Sequence, residues 1–139
     1  MIVLDTNVVS EPFKAKPAEA VKNWLSRQDP RLLFITAITQ AEIFYGLEIL
    51  PPGKRRAALT QAVERIIFEE FASRILPFDE NAARAYSKIV AARQTLGRPI
   101  SQFDAMIAAI TVAHKATLAT RDTDGFTHCG VDLINPFNP

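Results

Sequence analysis

Cysteine, histidine and glycine are scarce in this chain, and each scarcity removes a class of chemistry. The one cysteine, Cys129, allows no internal disulfide, so a reducing, cytoplasmic setting is expected. The two histidines, His114 and His128, both fall late in the chain and give little support to a histidine-based hydrolytic triad. Five scattered glycines supply no glycine-rich phosphate loop. No stretch reaches the roughly 18 uncharged apolar residues of a membrane helix. Asp5 interrupts the opening apolar run too soon for a signal peptide, so no membrane association is expected. Charge of one sign is also missing. A net charge of +1 falls short of the basic footprint of a non-specific nucleic-acid binder. Affinity for nucleic acid must then come from a local basic patch, or from metal ions that offset acids.

What is present is an ordinary globular composition, 48% hydrophobic and 22% charged, on 139 residues, which predicts one domain spanning residues 1–139. Met1-Ile2-Val3-Leu4 followed by Asp5-Thr6-Asn7 reads as a short buried strand that ends in a polar turn. A short helical turn over 8–13 follows, then a helix over 17–28 opened by Pro17. Leu32-Leu33-Phe34-Ile35 is a second strand, and the helix after it carries Ile43, Phe44, Leu47 and Leu50. Pro51-Pro52-Gly53 is a firm break. A helical stripe then runs from Lys54 to Phe71, and Ile75-Leu76-Pro77-Phe78 forms a third strand whose proline suits an edge. Asp79 caps a helix that Gly97 closes. Ser101 caps another, apolar all round from Phe103 to Ala113 and therefore buried. Strands over 117–120 and 131–134 complete the chain. Strands alternating with helices imply an α/β domain with a parallel sheet and right-handed crossovers.

Four carboxylates then occupy equivalent places. Asp5 and Asp122 follow strands, while Glu42 and Asp104 lie in the first turns of helices that follow strands. In a parallel sheet these positions share one edge, the one where ligands gather. Each acid alone has a simpler role. Thr39-x-x-Glu42 and Ser101-x-x-Asp104 both fit a capping box, Asp5 fits a turn residue, and Asp122-Thr123-Asp124-Gly125 fits an Asp/Gly turn. Their convergence carries the functional reading: acids held at one edge are what Mg²⁺ or Mn²⁺ requires, since these hard ions take oxygen ligands.

The run Met1 to Pro12, Thr39-x-x-Glu42 with Gly46, Phe103-Asp104-Ala105-Met106-Ile107-Ala108, and Thr120-Arg121-Asp122 with Phe126 together resemble the PIN-domain family. More narrowly they are similar to VapC-type toxin ribonucleases of bacterial toxin–antitoxin pairs. Ile75 to Asp79 and Asn135-Pro136-Phe137 resemble the branch of the gonococcal trafficking regulator. The resemblance spans essentially the whole chain, with the motifs in the family's order. It implies a three-layer sandwich, a central sheet of four or five parallel strands flanked by helices. It also implies Mg²⁺- or Mn²⁺-dependent endoribonuclease activity leaving a 5′-phosphate and a 3′-hydroxyl, possible on tRNA, other RNA loops or mRNA.

Carried over by motif, Asp5, Glu42, Asp104 and Asp122 form the acidic site. Asp5, Asp104 and Asp122 are the metal ligands, and Glu42 holds or deprotonates the attacking water. Thr6, Asn7 and Thr120 would orient these groups. Asp124 is an additional candidate ligand and Arg121 a candidate phosphate contact. Lys54-Arg55-Arg56 reads as a solvated turn, with a contact to RNA or to a partner as the sharper reading. The resemblance further implies a cognate antitoxin that blocks the site, with DNA contacted only through it, and a homodimer within a larger toxin–antitoxin assembly. Surplus apolar residues around Pro51-Pro52 (Phe44, Leu47, Ile49, Leu50) predict an interface there. Trp24, Phe44, Tyr45 and Tyr86 read as core or interface groups. Two other readings compete. An aspartyl-phosphate phosphatase would need an acid where Asn7 stands. A degenerate PIN domain would only bind RNA or protein, and the complete acidic set argues against it.

Overall fold

The computed structural model describes residues 1–139. Five strands, β1 (Ile2–Leu4), β2 (Leu33–Thr36), β3 (Ile75–Leu76), β4 (Thr117–Ala119) and β5 (Asp132–Ile134), form one sheet in the order β3-β2-β1-β4-β5. Every neighbouring pair is parallel. Parallel strands need crossovers, and six helices supply them: α1 (Thr6–Ser10), α2 (Glu19–Ser26), α3 (Ala37–Glu48), α4 (Lys54–Arg65), α5 (Glu80–Thr95) and α6 (Gln102–Ala113). No helix is long and apolar enough to cross a membrane.

The three layers follow from two apolar clusters, one on each face of the sheet. Ile89 of α5 and Ile107, Ala108 and Ile110 of α6 pack with Val3 and Leu118 on one face. Val8, Val21, Trp24, Leu47 and Val63, from α1 to α4, pack with Leu4 and Ile35 on the other. Covered on both sides, the strands read as short continuous apolar runs rather than as alternations. The expected three-layer α/β sandwich is the observed one, with five strands.

The central strand, β1, connects toward β2 on one side, and the later half of the chain builds outward on its other side through β4 and β5. The crevice between the carboxyl ends of β1 and β4 is therefore a topological switch point, where such sheets hold ligands. Asp5 follows β1 and donates its N–H to Ala119 at 2.9 Å, which extends the pairing to the crevice itself.

Several local expectations need correction. The first helix starts at Thr6, because Asp5 is extended (φ −68°, ψ 159°) and its side chain accepts the Thr6 N–H. The second helix begins at Glu19 with Ala18 as its cap, so Pro17 lies before it. Pro30–Leu32 is a 3-10 turn, and Leu32 is solvent-exposed. The stripe from Lys54 to Phe71 is helical as far as Glu70, but over Ile66–Glu70 it widens to a π turn. That wider turn keeps Ile67 in the core and leaves Phe68 exposed, stacked loosely on Phe44 at 6.2 Å. The edge position of β3 beside Pro77, the Asp79 cap and the left-handed Gly97 (φ +68°) are as expected.

Candidate functional site

A pocket of about 320 Å³ opens at the switch point, lined by Asp5, Thr6, Asn7, Glu42, Asp104, Asp122 and Phe126. The fold thus brings together all four acids singled out in the sequence, from four separate segments.

Asp5 is the most constrained. It is 5% exposed, and both carboxylate oxygens are engaged. Oδ1 accepts the Thr6 N–H at 2.8 Å. Oδ2 accepts the Thr120 hydroxyl at 2.8 Å and the Asn7 side-chain amide at 3.0 Å. Burial outweighs these hydrogen bonds, and repulsion from Asp104 and Glu42 adds to it, so the Asp5 carboxyl is pushed up to about 6. Asp5 is thus both the cap of α1 and a wall of the pocket.

Glu42 stands beyond the first turn of α3. The cap of that helix is Thr36, whose hydroxyl accepts the Thr39 N–H, so Thr39 sits inside the helix and the expected Thr39–Glu42 capping box does not form. Glu42 instead accepts the Thr6 hydroxyl on Oε1 at 2.8 Å, and that hydroxyl also lies 3.1 Å from the Thr39 hydroxyl.

At the amino end of α6, Ser101 is the cap as expected, accepting the Asp104 N–H at 3.3 Å. Burial raises the Asp104 carboxyl above its ordinary range against the Ser101 hydrogen bond, and Asp122 raises it further. Asp122 follows β4. Its N–H donates to the Thr120 hydroxyl at 3.0 Å, and its Oδ1 accepts the Gly125 N–H at 3.0 Å. Thr120 is fully buried and joins the two strand ends, donating to Asp5 while accepting from Asp122.

Two candidates lie apart. Asp124 begins a 3-10 turn, is exposed and does not line the pocket. Arg121 takes its N–H to Asn7 Oδ1 at 3.1 Å, but its guanidinium stacks over Phe137 at 4.2 Å, outside the pocket lining. Asn7, expected to orient the acids, donates to Asp5 and also accepts the Arg121 N–H, which ties the two strand ends together. Sequence reasoning attached no site role to Phe126, which is 1% exposed beside the acids, or to the Thr39 hydroxyl. An aromatic soon after an acid at a strand end was the available signal for Phe126.

No Lys or Arg is ion-paired with any of the four carboxylates. Oxygen-only donors, ranging from the buried Asp5 to the exposed Asp122, mutually repelling and without a protein cation, fit a hard divalent ion. As placed, no three of the chain's Asp, Glu, His or Cys side chains converge on one metal-sized centre. The fit therefore lies in the donor chemistry and its placement, not in a closed set of ligands.

A second groove, of about 410 Å³, shares Thr6 and Glu42 with this pocket. Phe13, Ile43, Leu47, Leu50, Leu59 and Val63 line it, with Lys14 and Arg55 among the polar residues. It runs between the helices on either side of Pro51-Pro52. Of the surplus apolar residues noted there, Leu47 is core, Phe44 and Leu50 are half-buried, and Ile49 is exposed together with Tyr45. Trp24 is core, and Tyr86 packs edge-on to Phe78 at 6.0 Å. In the basic run, Arg56 pairs with Glu48 at 3.0 Å while Arg55 reaches the groove.

Comparison with known proteins agrees with this fold. The family model described as PIN domain matches residues 2–131. The chain is 45% identical over 139 residues to the VapC ribonuclease Y4jK of Sinorhizobium fredii, covering 100% of this chain and 99% of that protein. It is 41% identical over 138 residues to Toxin FitB of Neisseria gonorrhoeae, covering 99% of each. The solved structure of FitAB bound to an IR36 DNA fragment superposes with a TM-score of 0.94 at 42% identity, over 99% of this chain and 96% of that one.

Proposed function

This chain belongs to the PIN domain family, and on that premise we propose that it is the toxin of a type II toxin–antitoxin pair, a divalent-metal-dependent endoribonuclease. The observation that carries the reading is the set of four unpaired carboxylates, from four segments, lining one pocket at the switch point. A single PIN domain over residues 1–139, working in the cytoplasm, is part of it.

In this reading Asp5, Asp104 and Asp122 would hold Mg²⁺ or Mn²⁺, which would supply positive charge against the scissile phosphate and make the attacking water easier to deprotonate. Glu42 takes the proton of the attacking water. The Thr6 hydroxyl occupies Glu42 Oε1, which leaves Oε2 free to accept from that water. Thr120 and Asn7 keep the Asp5 carboxylate from rotating, and Thr120 couples its position to the backbone of Asp122. Phe126 closes one wall against solvent. RNA, with tRNA among the candidate substrates, lies across the opening.

The groove beside Glu42 is the surface for the antitoxin, because it offers apolar side chains with Lys14 and Arg55 at its border and shares Glu42 with the acidic pocket. DNA is reached only through that partner. Exposed Leu96, just past the end of α5, and Phe103, in the first turn of α6, lie outside the groove lining and support a homodimer contact away from it.

The reading is tested by sequencing RNA ends after brief expression of wild type and Asp104→Asn. New 5′-phosphate ends that appear with wild type alone support it. Equal cleavage by both chains excludes the acidic site. Retained RNA binding without any cleavage by wild type returns the binding-module reading.

A further inference from the structure

Arg93 is a buried cation that the proposed chemistry does not use. It lies in the last turn of α5, is 4% exposed and has no carboxylate partner. A guanidinium is taken out of water only where its donors find partners, and here backbone carbonyls take those of Nε and Nη1. Nε donates to the Arg98 carbonyl at 2.6 Å. Nη1 donates to the carbonyls of Gly125 at 2.8 Å and Thr127 at 3.0 Å, with Cys129 Sγ at 3.5 Å. One planar group thus ties the end of α5 to the loop that follows Asp122.

The residue that this loop presents to Asp122 is Gly125. Its N–H donates to Asp122 Oδ1 at 3.0 Å. A Cβ built on Gly125 would stand 2.7 Å from Asp122 Cγ and overlap Oδ2 outright, whereas its φ lies outside the left-handed region. A side chain at position 125 would therefore displace the Asp122 carboxylate, while the backbone itself would accept one. The other four glycines have nothing within 4 Å of such a Cβ.

From this geometry we infer that Arg93 and Gly125 are positioning residues for Asp122: Arg93 fixes the loop, and Gly125 sets where the carboxylate stands at the edge of the pocket. The inference rests on the proposed role of Asp122 as a metal ligand. Partners that orient metal ligands alter affinity by about 10–100-fold when lost. The guanidinium is needed for its shape, since an ammonium is a point charge that cannot reach the Arg98 carbonyl and both loop carbonyls together.

The test is Mn²⁺ binding to the purified chain by isothermal titration, without RNA, for wild type, Gly125→Ala, Asp122→Asn and the double variant. Thermal unfolding confirms that each is folded. Expected is about a ten-fold weaker Mn²⁺ affinity for Gly125→Ala and less than a two-fold further change when it is added to Asp122→Asn. Affinity unchanged in Gly125→Ala overturns the inference, as does an equal loss in both backgrounds, which marks a merely structural role. Arg93→Lys, run through the same cycle, carries the test should Gly125→Ala fail to fold, with the same expected and contrary results. Wild-type affinity in Asp122→Asn instead removes Asp122 from the site and overturns the underlying reading.

Discussion

Two helices in this protein begin with nearly the same sequence pattern and end up doing different things with it. Thr39-x-x-Glu42 in α3 and Ser101-x-x-Asp104 in α6 both fit a helix-capping signature. In α6 half of the signature forms: Ser101 is the cap and its hydroxyl accepts the Asp104 N–H, so Asp104 is held by its backbone at its own helix end. In α3 it is not, because Thr36 takes the cap one turn earlier. Glu42 is thereby released from backbone duty, and the Thr6 hydroxyl from another helix claims it. The difference teaches that an acid near a helix start is free for chemistry when a different residue already satisfies the orphan amide.

The comparison can be broken at Glu42. Glu42→Gln keeps the acceptor for Thr6 but loses the base, so RNA cleavage should fall by about 10²- to 10⁴-fold with little change in thermal stability. A loss of stability with activity retained would make Glu42 a structural acid that serves only to tie α1 to α3. Thr6→Val should lower cleavage by about 10-fold, read as kcat with KM unchanged, since one hydrogen bond to a charged group is lost.

The pH dependence of the metal-free chain sharpens the same picture at Asp5. Its carboxyl titrates near 6 in the folded chain against 3.8 ordinarily, so the folded state binds the extra proton. Its contribution to stability is full below 3.8 and is lost as pH rises through about 6. In the presence of chelator, unfolding free energy should rise by about 1 kcal/mol from pH 7 to pH 5, a gain that saturating Mn²⁺ removes. The smallest effect belongs to the true cap. Ser101→Ala should cost about 1 kcal/mol of stability or less, checked by denaturant midpoint, and disturb cleavage less than Thr6→Val.

Much of this was legible in the sequence because the pattern was local. Apolar runs ending in polar residues marked β1 and β4, and breakers marked the helix ends at Pro51-Pro52 and Gly97. The four acids could be placed at one edge because parallel topology makes strand ends and the following helix starts coincide. What was not legible depended on contacts between distant segments. Nothing near Glu42 announces that Thr6, 36 residues earlier, will bind it. Thr120 reads as the end of a strand, yet it is the group joining Asp5 to Asp122 across 115 residues. Arg93 is a charge in register with the buried Ala82 and Ile89 of α5, and what holds it there lies in carbonyls 32 and 34 residues away. The π turn at Ile66–Glu70 was hidden because a wider turn keeps the same apolar stripe buried.

The central claim is that the carboxylates act as a divalent-metal site that cuts RNA. It is tested most directly by single-turnover cleavage of RNA by the purified chain, with Mg²⁺, with chelator, and after Mg²⁺ is restored, for wild type and Asp5→Asn. Cleavage should vanish with chelator, return with Mg²⁺, and be at least about 100-fold slower in Asp5→Asn. Undiminished cleavage in chelator, or an Asp5→Asn chain as fast as wild type, would contradict it.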